Sequence, residues 1–229
     1  MTPGLNLVSS MATRQILAGL AGPYEQRTGV PVTVRSMGGV EAARLVRAGE
    51  PADVVVLASN VMEALEAEGH VASGTRAGFA RSGMAAAIRA GARRPLIDNE
   101  QSVRQAILDA GRICYSTGPS GDHLMRLLER WGIAGLVSQR LLQAPPGIPV
   151  GALLAQGEAD LGFQQLSELL HVSGIEIVGP LPPEVQSVTV FTAGVSNTSP
   201  RREEARALVA YLTSPETEAT KRQHGMEPA

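Results

Sequence analysis

The chain has 229 residues, 44% of them hydrophobic, and a formal net charge of −2 at pH 7. This length suits one large domain or two small lobes, and the charge gives no general electrostatic reason to bind nucleic acid or an acidic membrane. The one cysteine, Cys114, excludes a disulfide or a cysteine-based metal site within a single chain. No run of about 18 consecutive apolar residues is present, so we expect no membrane insertion.

The first sixty residues alternate between strand-like and helix-like segments. Strands are predicted at 5–10, 30–36 and 52–59, and helices at 13–29 and 40–49. Repeated units of this kind build parallel sheets with right-handed crossovers. Ligands collect at the carboxyl ends of such strands, so the turns that follow them are the first places to look for a site.

The rest of the chain continues the pattern. An apolar strand at 74–91 is expected to carry the chain into a second lobe, and a proline-punctuated link precedes a helix at 150–157. The other predicted helices are 61–70, 102–111, 122–132, 199–212 and 215–225, and the other predicted strands are 112–116, 159–165 and 188–196. No heptad, solenoid repeat or low-complexity tail is present.

Small residues fill the two turns after the first two strands. Ser9 and Ser10 open the first turn, and Gly38 and Gly39 belong to the second. Hydroxyls and backbone N–H groups at a helix start suit an anion. The serines are equally explained as an ordinary helix cap, and the glycines as turn geometry.

Two later turns carry polar residues of the same kind. Ser120 and the amide of Gly121 lie where a helix is expected to begin, and Gln164 and Gln165 end a strand. Amides both donate and accept hydrogen bonds, which suits the carboxylates and hydroxyls of an organic ligand. The alternative is one buried structural glutamine and one exposed glutamine.

The sequence lacks the usual enzyme signatures. It contains no P-loop, dinucleotide fingerprint, zinc-protease motif, nucleophile elbow or Cys-x-x-Cys pair, and its four histidines are far apart. We therefore expect no cofactor and no metal. Three side chains remain as candidates for moving a proton, and they are His123, Tyr115 and Glu41.

Several segments together resemble the type II periplasmic solute-binding proteins, nearest the molybdate-binding branch. The matching stretches are YEQRTGVPVTV, GGVEAARLVRAGEPADVVVLAS, GEADLGFQQLSELL and the closing ARALVAYLTSPET with GMEP. The resemblance covers almost the whole chain. It implies an α/β fold of two lobes with mixed, mainly parallel sheets, joined by a two-strand hinge.

In this resemblance, lobe 1 comprises 1–80 and 190–229, lobe 2 comprises 81–189, and the ligand cleft lies between them. The first-turn serine of the family falls on Ser10 or Ser9. No serine matches the family's second-turn oxyanion donor, and Gln165 stands where the family has a tyrosine. Both departures favour a small organic di- or tricarboxylate over molybdate.

Two functions follow from the resemblance. The first is a monomeric substrate-binding protein that closes on a small anionic ligand and serves an ABC permease, in the periplasm if a signal peptide was trimmed and otherwise in the cytoplasm. The second follows from the FQQLSELL variant, which resembles a branch of the family that includes aconitate isomerase. That function would be an enzyme shifting a double bond in a small tricarboxylate.

Overall fold

The computed structural model describes residues 4–145 and 147–229. Its strands are β1 (Leu5–Ser10), β2 (Val32–Met37), β3 (Val54–Ala58), β4 (Ala77–Arg89), β5 (Ile113–Tyr115), β6 (Leu141–Gln143), β7 (Leu161–Gln165), β8 (Ile175–Pro180), β9 (Val188–Val195) and β10 (Glu227–Pro228). Its α-helices are α1 (Arg14–Thr28), α2 (Gly39–Arg47), α3 (Ser59–Ala67), α4 (Glu100–Asp109), α5 (Pro119–Arg130), α6 (Ala134–Val137), α7 (Val150–Gln156), α8 (Leu166–Leu169), α9 (Arg202–Leu212) and α10 (Glu218–Gln223).

The described chain forms two compact units. Unit 1 contains the residues up to Ser82 together with Thr189–Ala229, and unit 2 contains Gly83–Val188. The chain therefore passes from unit 1 to unit 2 within β4 and returns at the start of β9.

Unit 1 is built around a parallel core. Strand β1 lies between β2 and β3 and runs parallel to both. Strand β9 pairs antiparallel with β3, and β10 pairs antiparallel with β4. All five residues of β3 are buried, as expected of a strand that is covered on both faces. Helices α1 and α9 bury Ile16, Leu17 and Leu208 in the same apolar cluster.

Unit 2 repeats this arrangement with shorter strands. Strand β5 lies between β6 and β7 and is parallel to both, whereas β4 pairs antiparallel with β7 and with β8. Gly162 lets α7 lie close to β7, because a Cβ at this position would come within 2.6 Å of Val150 Cγ1 and 2.9 Å of Cys114 Sγ. Burial raises the pKa of the Cys114 thiol to about 12.

The single lysine of the chain is buried in unit 1. Lys221 lies on α10 and is 1% exposed. Its ammonium lies 5.0 Å from the centre of the Phe79 ring, a cation–π contact that offsets part of the cost of burial. Burial lowers the pKa of Lys221 from its ordinary value, and the nearby Glu218 carboxylate opposes that change.

The predicted α/β class with mixed, mainly parallel sheets is confirmed, with differences in single elements. Helix α5 begins at Pro119, three residues before the predicted 122, because proline is favoured at the first helical position. Strand β8 follows α8 in a segment for which no strand was predicted. Within the described residues, no helix is both long and apolar enough to cross a membrane.

Candidate functional site

The first group of candidate donors lies at the carboxyl ends of β1 and β2 in unit 1. The parallel register places Ser9 opposite Ser36, and their Oγ atoms are 2.8 Å apart in a hydrogen bond. We call Ser9, Ser10 and Ser36 the unit 1 donor set. No role was predicted for Ser36 from the sequence. Its position at the end of β2 becomes informative only once the strand register is known, because the register places it opposite Ser9.

Ser10 is the residue of this set whose hydroxyl has no partner. Its side chain is 8% exposed, and its Oγ makes no hydrogen bond within the described residues. It occupies the cap position of the short 3₁₀ turn Met11–Thr13, yet it makes no capping hydrogen bond. A buried hydroxyl without a partner costs about 1–3 kcal/mol, so this arrangement is unexpected for a residue with a purely structural role.

The backbone around Ser10 is held in place by its neighbours. Thr13 Oγ1 donates to the Ser10 carbonyl at 3.0 Å, and Ser9 Oγ donates to the same carbonyl at 3.3 Å. The 3₁₀ turn Met11–Thr13 follows Ser10 and leads into helix α1, which begins at Arg14. The turn therefore holds the Ser10 backbone shortly before the N-terminal end of a helix, where negative charge is favoured.

The second turn of unit 1 offers backbone rather than side chains. A Cβ on Gly38 or Gly39 would meet no atom within 4 Å. Gly38 has a φ of −55°, so neither crowding nor backbone conformation requires glycine there. The open space beside both residues suits the close approach of a ligand. Val40, which follows them, is 79% exposed.

The second group of donors lies at the carboxyl end of β5 in unit 2. Ser116 Oγ and Ser120 Oγ are hydrogen-bonded at 2.9 Å, and Ser120 is 1% exposed. We call these two residues the unit 2 donor set. Ser120 is predicted from the sequence, whereas Ser116, four residues earlier, is not; the two meet where β5 ends and α5 begins.

Gly121 has a structural reason to be glycine. A Cβ there would lie 1.8 Å from the Ser116 carbonyl oxygen, so the first turn of α5 lies directly against the end of β5. Its amide donates to the Gly118 carbonyl at 2.9 Å. Gly121 thus allows the contact between Ser116 and Ser120, and its own N–H is already hydrogen-bonded within the turn.

The two adjacent glutamines of β7 are both 2% exposed. Gln164 Oε1 accepts a hydrogen bond from the Val150 amide at 3.0 Å, and Gln164 Nε2 donates to Glu168 Oε2 at 2.7 Å. The Gln164 amide is therefore engaged at both ends inside unit 2. Gln165 is the last residue of β7 and directly precedes α8.

Glu168 is an ionisable group in this region that sequence analysis missed. It lies in the first turn of α8. Burial raises the pKa of its carboxyl to about 7, and the hydrogen bond from Gln164 limits the rise. Because the burial of Glu168 depends on how α8 packs, nothing in the local sequence indicates it.

The three proton-transfer candidates have different surroundings. His123 Nε2 lies 2.9 Å from the Val185 carbonyl oxygen, and since a carbonyl only accepts, the ring donates there. Tyr115 is partly buried at the end of β5, and Glu41 is exposed in the first turn of α2. Their roles remain predictions. Among the described residues, no group of three or more His, Cys, Asp or Glu side chains is arranged to hold a metal ion.

Comparison with known proteins places this chain in a family. The model of the family described as bacterial extracellular solute-binding protein matches residues 5–227. A curated relative, an aconitate isomerase from a Pseudomonas species, is 36% identical over 233 residues, covering 98% of this chain and 87% of the relative. The chain belongs to the bacterial extracellular solute-binding protein family.

Solved structures support the same fold. The periplasmic molybdate-binding protein of Azotobacter vinelandii has a TM-score of 0.81 at 22% identity, covering 97% of this chain and 98% of that one. A binding protein from A. tumefaciens R10 in complex with agropinic acid has a TM-score of 0.72 at 14% identity, covering 100% of this chain and 83% of that one. At these identities the likeness concerns the fold alone.

Proposed function

We propose that the protein binds a small organic di- or tricarboxylate and that the unit 1 donor set holds one of its carboxylate groups. The observation that carries the proposal is the buried Ser10 hydroxyl, which has no partner in the described chain. A carboxylate oxygen that accepts a hydrogen bond from Ser10 would remove the cost of leaving that hydroxyl unsatisfied. Membership of a solute-binding family supports a binding role.

The class of ligand rests on two further observations. The relative that is 36% identical is named for aconitate, which is a small tricarboxylate. At the second turn of unit 1, the Ser36 hydroxyl is followed by the backbone of Gly38 and Gly39 and by the apolar side chain of Val40. Such a mixture suits a carbon skeleton bearing carboxylates better than a metal oxyanion.

Calorimetric titration of the purified protein tests this function. The panel contains trans-aconitate, cis-aconitate, citrate and succinate on one side, and molybdate, tungstate and sulfate on the other. We expect at least one carboxylate to bind with a dissociation constant on the order of micromolar. Tighter binding of molybdate than of every carboxylate would contradict the proposal.

A second candidate function is isomerisation of aconitate by a shift of its double bond. It is favoured by the extent of the likeness to aconitate isomerase, which covers 98% of this chain. The reaction removes a proton from one carbon and returns a proton to another, so it needs a group with a pKa near the working pH. Incubation with trans-aconitate, followed by proton NMR to detect the cis isomer, tests this function. If no aconitate is converted at high protein concentration, an enzymatic role is eliminated.

In the binding role, the protein would act with an ABC permease and reside in the periplasm, as a monomer. This part of the proposal rests on membership of the extracellular solute-binding family. Reconstitution of the permease from the same genome, with and without the loaded protein, would measure whether transport depends on it.

A further inference from the structure

Unit 2 contains a groove that is separate from both donor sets. Its volume is about 1030 Å³, at the upper end of the range of ligand pockets. One wall is the segment 92–96, which follows β4, and the other is the face of α4 that carries Ser102, Gln105 and Asp109. A helix of ten residues is about 15 Å long, which equals about four or five residues of extended chain.

The groove lies at the opposite end of the sheet from the unit 2 donor set. Its lining includes Arg89, the last residue of β4, and Leu161, the first residue of β7. In the parallel register Leu161 is opposite Ile113, the first residue of β5, whereas the donor set follows the last residue of β5. The groove and the donor sets therefore share no residue.

Both walls of the groove are held in place by hydrogen bonds. Arg94 ties the segment 92–96 to β8, because its guanidinium donates to Glu176 Oε1 at 2.8 Å and to the Val178 carbonyl. At the start of α4, Asn99 and Ser102 exchange hydrogen bonds between side chain and backbone. The walls are thus fixed by contacts within the protein, and such preorganisation lowers the entropic cost of binding a ligand.

The floor of the groove is apolar. It is formed by residues that are at most 8% exposed, namely Ile88, Ala106, Ala159 and Leu161. On the wall above it, the side chain of Leu96 is 75% exposed. An apolar side chain of a ligand would contact this floor and cover Leu96, and burial of apolar area favours binding.

Charged side chains of both signs line the groove in equal number. They are Arg89, Arg93, Arg94, Asp98, Asp109 and Asp160. The acids have hydrogen bonds within unit 2, from Ser102 Oγ to Asp98, from Gln105 Nε2 to Asp109, and from the Arg112 amide to Asp160. Arg94 pairs with Glu176, outside this set. Among the described residues, Arg89 and Arg93 have no hydrogen-bond or ion-pair partner.

This lining is complementary to a ligand that carries both signs of charge. A ligand of one sign would be repelled by half of the six groups, whereas a zwitterion can contact both kinds. The side-chain amides of Gln101 and Gln105 also line the groove, and an amide donates to a C=O and accepts from an N–H. A peptide with free termini offers both charges, backbone amides and an apolar side chain.

We propose that the groove of unit 2 binds a short zwitterionic peptide in extended form. Arg89 and Arg93 bind its carboxylate, the aspartates of the groove bind its ammonium group, and an apolar side chain lies on the floor. Since the groove shares no residue with the donor sets, failure of this inference leaves the proposed function untouched.

The experiment is a ¹H–¹⁵N NMR titration of the full chain with the tetrapeptide Ala-Leu-Ala-Leu, with free termini. We expect saturable shifts of the backbone amides of α4 and of the segment 92–96, with a dissociation constant of about 1 mM or lower. The same peptide with an acetylated amino end and an amidated carboxyl end should bind about tenfold more weakly, because it lacks both charges. Absence of shifts at these amides up to about 10 mM peptide overturns the inference.

Variants locate the site. The double variant Arg89→Gln with Arg93→Gln should weaken binding of the free peptide about tenfold, and Gln105→Trp, which narrows the groove from an exposed position on α4, should weaken it further. Arg126→Gln, at an exposed arginine of α5 outside the groove, should bind as the wild type. The NMR spectrum of each variant shows whether it is folded.

Three results contradict the inference. They are equal binding of the free and the blocked peptide, unchanged affinity in the folded double variant, and the same shifts with sodium acetate alone at the same concentration. The last result would mean that the arginines bind any small anion and that the aspartates play no part.

Discussion

Ser10 differs from its neighbours in what its side chain does. Ser9 and Thr13 donate to the Ser10 carbonyl, and Ser9 also contacts Ser36, whereas the Ser10 hydroxyl makes no hydrogen bond in the described chain. The neighbours thus fix the shape of the turn, and Ser10 carries the unused donor. Binding and stability should therefore respond differently to substitution at these positions.

Replacing Ser10 with alanine should weaken binding of the preferred carboxylate by about 10- to 100-fold, because a hydrogen bond to a charged group contributes about 1.5–3 kcal/mol. Stability of the ligand-free protein should be unchanged or slightly higher, since an unsatisfied buried hydroxyl is removed. Calorimetry and urea unfolding measure the two effects. Ser173→Ala, at an exposed serine, is the control; equal affinity in both variants would argue against a role for Ser10.

At Gly121, substitution should act on folding. A Cβ would lie 1.8 Å from the Ser116 carbonyl oxygen, so Gly121→Ala must move the start of α5 or the end of β5. We expect a loss of about 3 kcal/mol or more in the free energy of unfolding, measured with urea. Gly135→Ala, where a Cβ meets nothing within 4 Å, should stay within about 1 kcal/mol of the wild type. A fully stable Gly121→Ala protein would contradict the close contact.

Glu168 should make stability depend on pH. Its pKa is about 7 in the folded protein, against 4.5 ordinarily, so the folded state binds more protons than the unfolded state between these values. Stability therefore falls as pH rises through this window and stays lower above it. Glu168→Gln should raise the free energy of unfolding by about 1–3 kcal/mol at pH 8 and change it little near pH 4.5. Equal effects at both pH values would show that the carboxyl does not titrate in this window.

The candidate residues differ in how far sequence alone could indicate them. Ser10 and Ser120 follow strands in a βα pattern, and the chemistry of such turns is readable from sequence. Ser36, Ser116 and Glu168 were missed because their relevance depends on strand register, on where a helix begins and on burial. These are properties of tertiary packing that no local pattern contains.

At the scale of elements, the parallel pairing of β1 with β2 brings the unit 1 donor set together. Ser9 and Ser36 are 27 residues apart in the chain but opposite each other in the register. A shift of one residue would turn every side chain of β2 to the other face. The register is thus a requirement of the contact between Ser9 and Ser36 as well as of the core.

Helix α4 offers a direct test of a local element. The side-chain oxygen of Asn99 accepts a hydrogen bond from the backbone amide of Ser102, and the Ser102 hydroxyl accepts one from the backbone amide of Asn99. Together they form a capping box. Asn99→Ala should lower the free energy of unfolding by about 1 kcal/mol, measured with urea. Gln101→Ala, at an exposed position of the same helix, should stay within about 0.5 kcal/mol of the wild type. Equal losses in the free energy of unfolding of the two variants would mean that the capping box does not stabilise the helix.

The elements with a clear hydrophobic period were predicted well, including β1, α2 and β3. The segment that forms β8 was not recognised, because its six residues include a glycine and a proline, which usually mark loops. It pairs with β4, so its extended form depends on a partner about ninety residues away in the chain. Contacts at that distance lie outside any sequence window.

At the scale of the whole molecule, fold and ligand are only loosely connected. The structures with TM-scores of 0.81 and 0.72 to this chain are those of a molybdate-binding protein and of a binding protein in complex with agropinic acid. The same fold thus occurs in proteins that bind different ligands, so the fold by itself does not identify a ligand for this chain. The predicted division of the chain fell after residues 80 and 189, and the structure divides it after 82 and 188.

The buried Lys221 and Cys114 give each unit a built-in chemical reporter. Lys221 is the one lysine of the sequence and lies in unit 1, and Cys114 is the one cysteine and lies in unit 2. Reagents that modify amines and thiols reach such side chains only when the surrounding structure opens. Mass spectrometry of the two modified peptides over a urea series would therefore follow the opening of each unit separately in the unaltered protein. Identical midpoints would indicate that the two units unfold together.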